Sequence, residues 1–151
     1  MRVALVHFLS PLKNANHKGI LQKLENAVIK KGYQIDIFNA HTDSSTMRLT
    51  GYDYISIIVP SSPLFGAKLP EKFDEVLENC GMLTSKKGCA LVVKSGFSSW
   101  KTCTKLMSGM EKQGILLDYF DVVENPDHAY LFLVFYHALF FLIENILLTF
   151  F

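Results

Sequence analysis

The sequence lacks the basic excess that nucleic-acid-binding domains usually carry. Its 15 Lys and Arg residues nearly balance its 14 Asp and Glu residues, so the formal net charge is +1. This balance argues against a nucleic acid as a partner. Charged residues are also scarce, at 19% of the 151 residues, while 50% are hydrophobic. This composition excludes a disordered chain, and the length suits a single domain.

Cysteine is scarce as well, and its spacing carries no metal or disulfide pattern. Cys80, Cys89 and Cys103 are an odd number with no CxxC pair, which excludes a zinc site, an iron–sulfur cluster and a disulfide framework. We expect Cys89, at the start of an apolar run, to be a small buried residue. This usage favours a reducing, cytoplasmic compartment. The apolar stretch at residues 3–9 is short and lacks a cleavage site, so it predicts a strand and not a signal peptide.

Several catalytic and nucleotide-binding motifs are missing. There is no GxxxxGK[ST] and no GxGxxG after the first apolar run, so neither a P-loop NTPase nor a dinucleotide-binding Rossmann site is supported. GxSxG and HExxH are absent too, which argues against a serine hydrolase of that type and a zinc protease. No cysteine lies in the first loop, so a phosphate-loop cysteine phosphatase is excluded. We identify no catalytic acid or base.

Apolar runs alternate with amphipathic segments along residues 1–124. The apolar runs predict strands at 3–8, 33–38, 54–59, 89–93 and 115–123. Apolar residues at helical spacing predict helices at 18–31, 71–79 and 100–113. The segment at 41–53 is too short and polar to predict a helix. The resulting order, β-α-β-β-α-β-α-β, predicts an α/β fold: a parallel five-stranded sheet with helices on both faces, a three-layer sandwich.

Ligands of such sheets bind beyond the carboxyl ends of the strands. Three loops are expected there, at residues 9–17, 60–70 and 95–99, and they are rich in Ser, Gly, Asn and aromatic residues. The first loop runs into a helix, whose free N–H groups and dipole attract phosphate. Ser10, Asn14 and Asn16 could donate hydrogen bonds there, and Lys13 could supply a charge. The same residue types are common helix caps and turn formers, so the spacing leaves both interpretations open.

Two of these loops carry recognisable motifs. The segment from Ser10 to Asn16, SPLKNAN, resembles the SPRKNxNT phosphate loop of NAD(P)H-dependent FMN reductases in the flavodoxin superfamily. The segment from Ser62 to Pro70, SPLFGAKLP, resembles the SPxYxGKLP segment of small flavodoxin-like proteins. The resemblance covers residues 1–124, with each motif on the matching loop. It implies a flavodoxin-like fold with strand order 2-1-3-4-5.

The resemblance also implies FMN as cofactor. The residues that would contact its phosphate are Ser10, Lys13, Asn14, Asn16 and His17. The residues that would border its ring are Ser62, Pro63, Leu64, Phe65 and Gly66 on one loop, and Ser95, Gly96 and Phe97 on the other. Aromatic side chains such as Phe65 can stack on a flavin, and nearby backbone N–H groups tune its electronics. His17 stands where the family usually has Thr, Leu9 where Gly is common, and Phe65 where Tyr is common.

Residues 130–151 form a separate apolar segment. Six of the 12 Phe residues lie between 132 and 151, and no Lys or Arg follows Lys112. As a helix, this segment would span about 33 Å, close to the roughly 30 Å of a bilayer core. Three alternatives remain: a buried or partner-covered fifth helix, a membrane anchor, or an aberrant end from a frameshift or read-through. Glu144 and the lack of flanking basic residues argue against the anchor. We assign residues 1–128 to the domain and 129–151 to this segment.

The leading hypothesis for function is therefore an FMN-binding redox protein. It would transfer electrons, or reduce flavins or quinones with NAD(P)H, in the cytoplasm. The alternative is a flavodoxin-fold binding or scaffold module without flavin, tethered to a membrane or a partner by its apolar segment. The partners expected are FMN, NAD(P)H or a redox partner protein, with a homodimer or membrane contact through residues 130–151.

Overall fold

A parallel sheet of five strands forms the centre of the molecule. The computed structural model describes residues 1–10, 14–62 and 66–129. The strands are β1 (Arg2–His7), β2 (Gln34–Asn39), β3 (Tyr54–Pro60), β4 (Lys87–Val93) and β5 (Leu116–Val123). The helices are α1 (Ala15–Lys30), α2 (Phe73–Asn79) and α3 (Ser99–Lys112). The strand order is β2-β1-β3-β4-β5, with every neighbouring pair parallel, which confirms the predicted fold.

The three central strands are buried on both faces, which explains their continuous apolar sequences. Ile55, Ile57 and Ile58 of β3 are inaccessible to solvent, as are Leu91 and Val92 of β4. Strands covered by helices on both faces need no polar side, so they show no alternation. The edge strands β2 and β5 do alternate between more and less exposed residues, because each has a face that the helices cover incompletely.

The helices divide the core into two layers. α2 and α3 pack on one face of the sheet, where Phe73, Leu77 and Leu106 join the cluster around Ile57. α1 packs on the opposite face, where its Ile20, Leu21 and Leu24 belong to the cluster around Leu5 and Leu91. The apolar spacing of each helix thus matches the face that it buries, as expected for amphipathic helices on a sheet.

The start of α1 differs from the sequence-based prediction. The helix begins at Ala15 and not at residue 18, so Asn16 and His17 lie in its first turn and not in the preceding loop. Asn14 is the N-cap, and its side chain accepts a hydrogen bond from the Asn16 N–H. The first turn contains no buried apolar residue, so the periodic pattern used for the prediction only begins one turn later. The capping interpretation of Asn14 is therefore confirmed.

The chain after β5 continues into helical structure at residues 126–129, where the described residues end. Asn125 caps its start, because its Oδ1 accepts a hydrogen bond from the His128 N–H at 2.9 Å. Pro126 lies so close to α1 that a Cβ on Gly19 would be 2.7 Å from its Cγ. The alternatives proposed for residues 130–151 lie outside the described residues. Within the described ranges, no helix has the length and apolarity needed to cross a membrane.

Candidate functional site

The candidate site lies at the carboxyl edge of the sheet, between β1 and β3. From β1 the chain passes outward to β2, and then returns to β3 on the other side of β1. The connections from these neighbouring strands therefore leave in opposite directions, which opens a crevice at this edge. The Phe8 N–H donates to the Ile58 carbonyl at 2.9 Å, and this bond holds the two strand ends together below the crevice.

One end of the crevice is the N-terminus of α1. The Asn16 N–H is capped by Asn14 Oδ1 at 2.9 Å, but the N–H groups of Ala15 and His17 find no acceptor among the described residues. No acidic side chain lies in this first turn. The positive end of the helix dipole and two free donors therefore remain available to an anion.

Two buried imidazole nitrogens have no hydrogen-bond partner in the described part of the chain, and one of them belongs to the first turn of α1. They are the Nδ1 atoms of His7 and His17. His7 is the last residue of β1 and is only 3% exposed. Strand alternation places it on the α1 face with Leu5 and Leu9. Because buried polar atoms are nearly always paired in folded proteins, the unpaired His17 nitrogen at the start of α1 marks a place where a ligand can supply the missing partner.

Burial sets the protonation of both rings. It lowers the pKa of His17 below its ordinary value. It also lowers the pKa of His7, where the nearby Asp43 carboxylate partly offsets the effect of burial and His41 adds to it. Both imidazoles are therefore mainly neutral at pH 7, and each can donate one hydrogen bond. A dianionic ligand beside them would favour their protonated forms.

The other end of the crevice is formed by the loops after β3 and β4, which are joined by a serine clamp. The clamp consists of Ser61, Ser62, Ser95 and Ser98. The Ser95 N–H donates to Ser61 Oγ at 2.6 Å, and Ser95 Oγ donates to the Ser61 carbonyl at 3.0 Å. Ser98 Oγ donates to the Ser62 carbonyl at 2.6 Å. These hydrogen bonds hold the two loops at a fixed separation, and the burial of Ser61 shields its bonds from water.

An aromatic side chain projects from the clamped loops. Phe97 is fully exposed, at 104% of its reference area. It follows Gly96, whose φ of 88° lies in the left-handed region that favours glycine. Removing an exposed apolar ring from water is favourable in free energy, so a flat partner that covers the ring is stabilised by that contact. Phe97 therefore suits stacking on a planar ligand.

The structure brings most of the predicted site residues to this edge. Those described near the start of α1 are Ser10, Asn14, Asn16 and His17, and those on the clamped loops are Ser62, Gly66, Ser95, Gly96 and Phe97. The side chain of Asn16 is occupied, since its Nδ2 donates to the Glu124 carbonyl at 3.3 Å. The predictions for Lys13, Pro63, Leu64 and Phe65 lie outside the described residues.

Three residues at this edge, His7, Ser61 and Ser98, were not predicted from the sequence. His7 and Ser61 each lie at the carboxyl end of a strand, in β1 and directly after β3. That position was the available signal, because it points a side chain toward the crevice edge. Ser98 gave no comparable signal. Its role depends on a bond to a residue 36 positions away.

Solved structures with similar architecture include flavodoxins. The oxidised flavodoxin 2 of Bacillus cereus aligns with a TM-score of 0.65 and 15% identity, over 89% of this chain and 96% of that one. A flavodoxin from the domain Archaea aligns with a TM-score of 0.64 and 16% identity, over 88% and 91%. A Fusobacterium nucleatum flavodoxin bound to flavin mononucleotide aligns with a TM-score of 0.53 and 11% identity, over 91% and 96%.

This chain therefore has the flavodoxin-like fold, as its loop motifs predict. Identities of 10–16% establish the fold alone. No family model matches the sequence, and no curated protein does.

Proposed function

We propose that this protein binds FMN in the crevice at the carboxyl edge and acts as a small redox protein. The observation that carries the proposal is the unpartnered, buried Nδ1 atom of His17 in the first turn of α1, where the N–H groups of Ala15 and His17 have no acceptor among the described residues. A phosphate group is an anion of the size and hydrogen-bonding capacity that such a helix end accepts. The serine clamp and the exposed Phe97 at the other end of the crevice suit a planar ring system.

The residues at the two ends of the crevice would have different tasks. At the phosphate end, His17, Ser10 and the free N–H groups of α1 would donate hydrogen bonds, while Asn14 holds the helix start in place. At the ring end, Gly96 and Gly66, both at positive φ, allow the backbone to approach a flat ligand closely. Phe97 would cover the ring and exclude water from it.

The chemistry in this proposal belongs to the flavin, which accepts and donates electrons when it is bound. The chain contributes binding, orientation and the electrostatic environment. No acid–base residue is required for electron transfer. A reductase would differ from an electron carrier only in oxidising NAD(P)H, and FMN-loaded protein incubated with NAD(P)H and a quinone acceptor separates these two roles.

The proposal is tested by titrating the full chain with FMN and with riboflavin, which lacks the phosphate. We expect FMN to bind at micromolar concentration or below, and at least about tenfold more tightly than riboflavin, because charge-assisted hydrogen bonds to phosphate are among the stronger polar contacts. Absorbance and flavin fluorescence report the binding. Absence of binding at micromolar FMN would contradict the proposal.

Two histidine variants localise the phosphate. His17→Ala removes a proposed phosphate donor, so the preference for FMN over riboflavin should fall while riboflavin affinity stays the same. His41→Ala is the matched control, because His41 lies at the same edge but contacts the Phe8 carbonyl, at 3.2 Å from Nε2. An equal loss of preference in both variants would argue against a specific contact at His17.

A second candidate function is a flavin-free binding or scaffold module. The observation that favours it is the structural occupation of two proposed phosphate ligands, since Asn14 caps α1 and Asn16 bonds to the Glu124 carbonyl. Residues 130–151 would then tether the module to a membrane or a partner. A full chain that binds no flavin and cosediments with lipid vesicles supports this candidate over the redox protein.

We also propose a reducing, cytoplasmic location, supported by the state of the three cysteines. All three are free and buried. Burial raises the pKa of Cys80 to about 11, of Cys89 to about 12 and of Cys103 to about 11. These thiols stay protonated at neutral pH and pack as core residues, with Cys89 Sγ 3.0 Å from Ser56 Oγ. Fractionation of cells that express the full chain tests the location.

A further inference from the structure

The outward side of α3 carries an unusual set of exposed side chains. This docking face consists of Phe97, Trp100, Lys101 and Lys105. Phe97 is fully exposed and Trp100 is 60% exposed, and both lysines are exposed as well. Residues four positions apart share one side of a helix, so Lys101 and Lys105 lie together on α3, while Trp100 lies about 100° around the helix from Lys101 on the same exposed half. Phe97 precedes α3 at the end of the helix nearest the crevice.

The docking face carries two lysines and no acidic residue of its own. Between Glu78 and Glu111 the chain has five lysines and neither Asp nor Glu. The lysine after β4, Lys94, is neutralised by an ion pair with Glu124. Lys101 and Lys105 form no ion pair with any residue that the structure describes. Their charges are therefore available to a partner.

We propose that the docking face binds a protein whose surface presents an apolar centre within an acidic rim. Large aromatic residues are enriched at the energetic centres of protein interfaces. The lysines beside them match carboxylates on the partner, and such charges accelerate association. The sign of the charge thus selects the partner, while Trp100 anchors it and Phe97 forms the border with the crevice.

A protein partner fits this face better than an anionic membrane. Lipid headgroups are recognised by clusters of roughly four to eight basic residues, whereas the docking face offers two unpaired lysines. The docking itself is independent of the flavin. That the partner exchanges electrons with this chain rests on the proposed function, because Phe97 borders both the crevice and the docking face.

The test uses the fluorescence of Trp100, the single tryptophan of the chain. The probes are two short glutamate-rich peptides that differ only in a central pair, Leu-Leu or Ser-Ser. We expect the Leu-Leu peptide to shift the Trp100 emission to shorter wavelength and to bind about tenfold more tightly than the Ser-Ser peptide, as one desolvated anchor typically contributes. Raising the salt concentration should weaken the binding of both.

Three variants separate charge from apolar contact. The double variant Lys101→Glu and Lys105→Glu should weaken binding of both peptides by at least about tenfold. The control, Lys31→Glu and Lys112→Glu, makes the same charge change at the C-terminal ends of α1 and α3, away from the docking face. It should keep the wild-type affinity. Trp100→Ala, followed by calorimetry, should lose the preference for the Leu-Leu peptide. Circular dichroism verifies that each variant is folded.

The proposal is overturned if the two peptides bind equally, or if the two double variants behave alike. It is also overturned if phosphatidylserine vesicles shift the Trp100 emission at lower concentrations than the Leu-Leu peptide, since the face would then recognise a lipid surface. All titrations are made without flavin and repeated with FMN. Failure of FMN binding would therefore contradict the proposed function and leave the test of docking intact.

Discussion

The two edges of the sheet differ in how completely their polar groups are used. At the amino edge, the Arg2 N–H bonds to the Asp53 carboxylate, the Tyr52 hydroxyl bonds to Asp36, and the Lys86 ammonium bonds to the carbonyls of Thr50 and Tyr52. At the carboxyl edge, His7 and His17 each keep an unpartnered nitrogen, and Phe97 is fully exposed. The amino edge is thus stabilised internally, whereas the carboxyl edge keeps capacity for a ligand.

This difference indicates which substitutions should affect stability and which should affect binding. Changes at the amino edge should lower the free energy of unfolding and leave ligand affinity almost unaffected. Changes to the unpartnered groups of the carboxyl edge, such as His17 and Phe97, should alter affinity at a smaller cost in stability, whereas changes to the internally bonded serine clamp should affect both quantities. The following predictions test this division, beginning with the largest expected effect.

Gly88→Ala, near the amino end of β4, should destabilise the protein most. A Cβ at this position would be 2.3 Å from the Ile55 carbonyl oxygen and 3.0 Å from Ile115 Cγ2. The obstruction is backbone of the neighbouring strand, so the sheet itself must shift. We expect a loss of about 3 kcal/mol, at the upper end for overpacked cores, measured by urea denaturation.

Gly51→Ala is the matched control at the same edge. Its nearest contact would be the flexible Arg2 side chain at 3.7 Å, an ordinary van der Waals distance. We expect a change within about 1 kcal/mol. Equal destabilisation by the two variants would show that the approach between β3 and β4 is looser than the structure indicates.

Ser61→Ala should have the second largest effect, because it opens the serine clamp. The variant removes the acceptor of the Ser95 N–H and the donor to the Ser95 carbonyl at 2.8 Å. Leaving buried polar groups unpaired costs about 2 kcal/mol. If the proposed function holds, FMN and riboflavin affinities should fall by the same factor, since the clamp borders the ring and not the phosphate. Ser108→Ala, at an exposed position of α3, should change neither quantity.

Much of the fold was predictable from the sequence, because buried parallel strands and amphipathic helices leave clear apolar patterns. The run at residues 54–59 predicted β3 almost to its ends, and the loop motifs predicted the strand order. β4 begins at Lys87, before the predicted residue 89, because Lys87 and Gly88 carry no apolar signal. They join the strand through ladder pairing with Tyr54 and Ile55.

The site was less predictable, because it depends on contacts between distant residues. The sequence placed the three loops at the correct edge, but it contained no sign that Ser61 and Ser95, 34 positions apart, bond to each other. Their pairing follows from the register of β3 with β4. The lack of a hydrogen-bond partner for His7 Nδ1 among the described residues could not be predicted either, since it depends on three-dimensional burial and not on sequence spacing.

Tyr52→Phe should have a moderate effect on stability and none on ligand binding. The Tyr52 hydroxyl donates to Asp36 Oδ2 at 2.8 Å, and burial together with this carboxylate raises the pKa of Tyr52. Loss of one such bond costs about 1 kcal/mol. The Arg2 guanidinium, 4.7 Å from the centre of the Tyr52 ring, should keep its contact with Phe. In combination with Asp36→Ala, a non-additive result identifies the bond, whereas simple addition would contradict it.

The smallest expected effect is a dependence of stability on pH that originates at the carboxyl edge. Burial lowers the pKa of both His7 and His17 in the folded protein below the ordinary value of 6.5. The unfolded chain therefore binds protons first as the pH falls, so these residues favour folding above about pH 6.5 and lose that contribution as the pH falls through the lowered values.

Urea midpoints between about pH 7.5 and 5 should decline, and less steeply in His7→Leu and His17→Leu than in the wild type. If FMN binds as proposed, its phosphate should raise the pKa of His17, so binding should take up a proton and weaken the decline. A decline that is unchanged in both variants would assign the pH dependence to other groups and would remove the contrast between the edges.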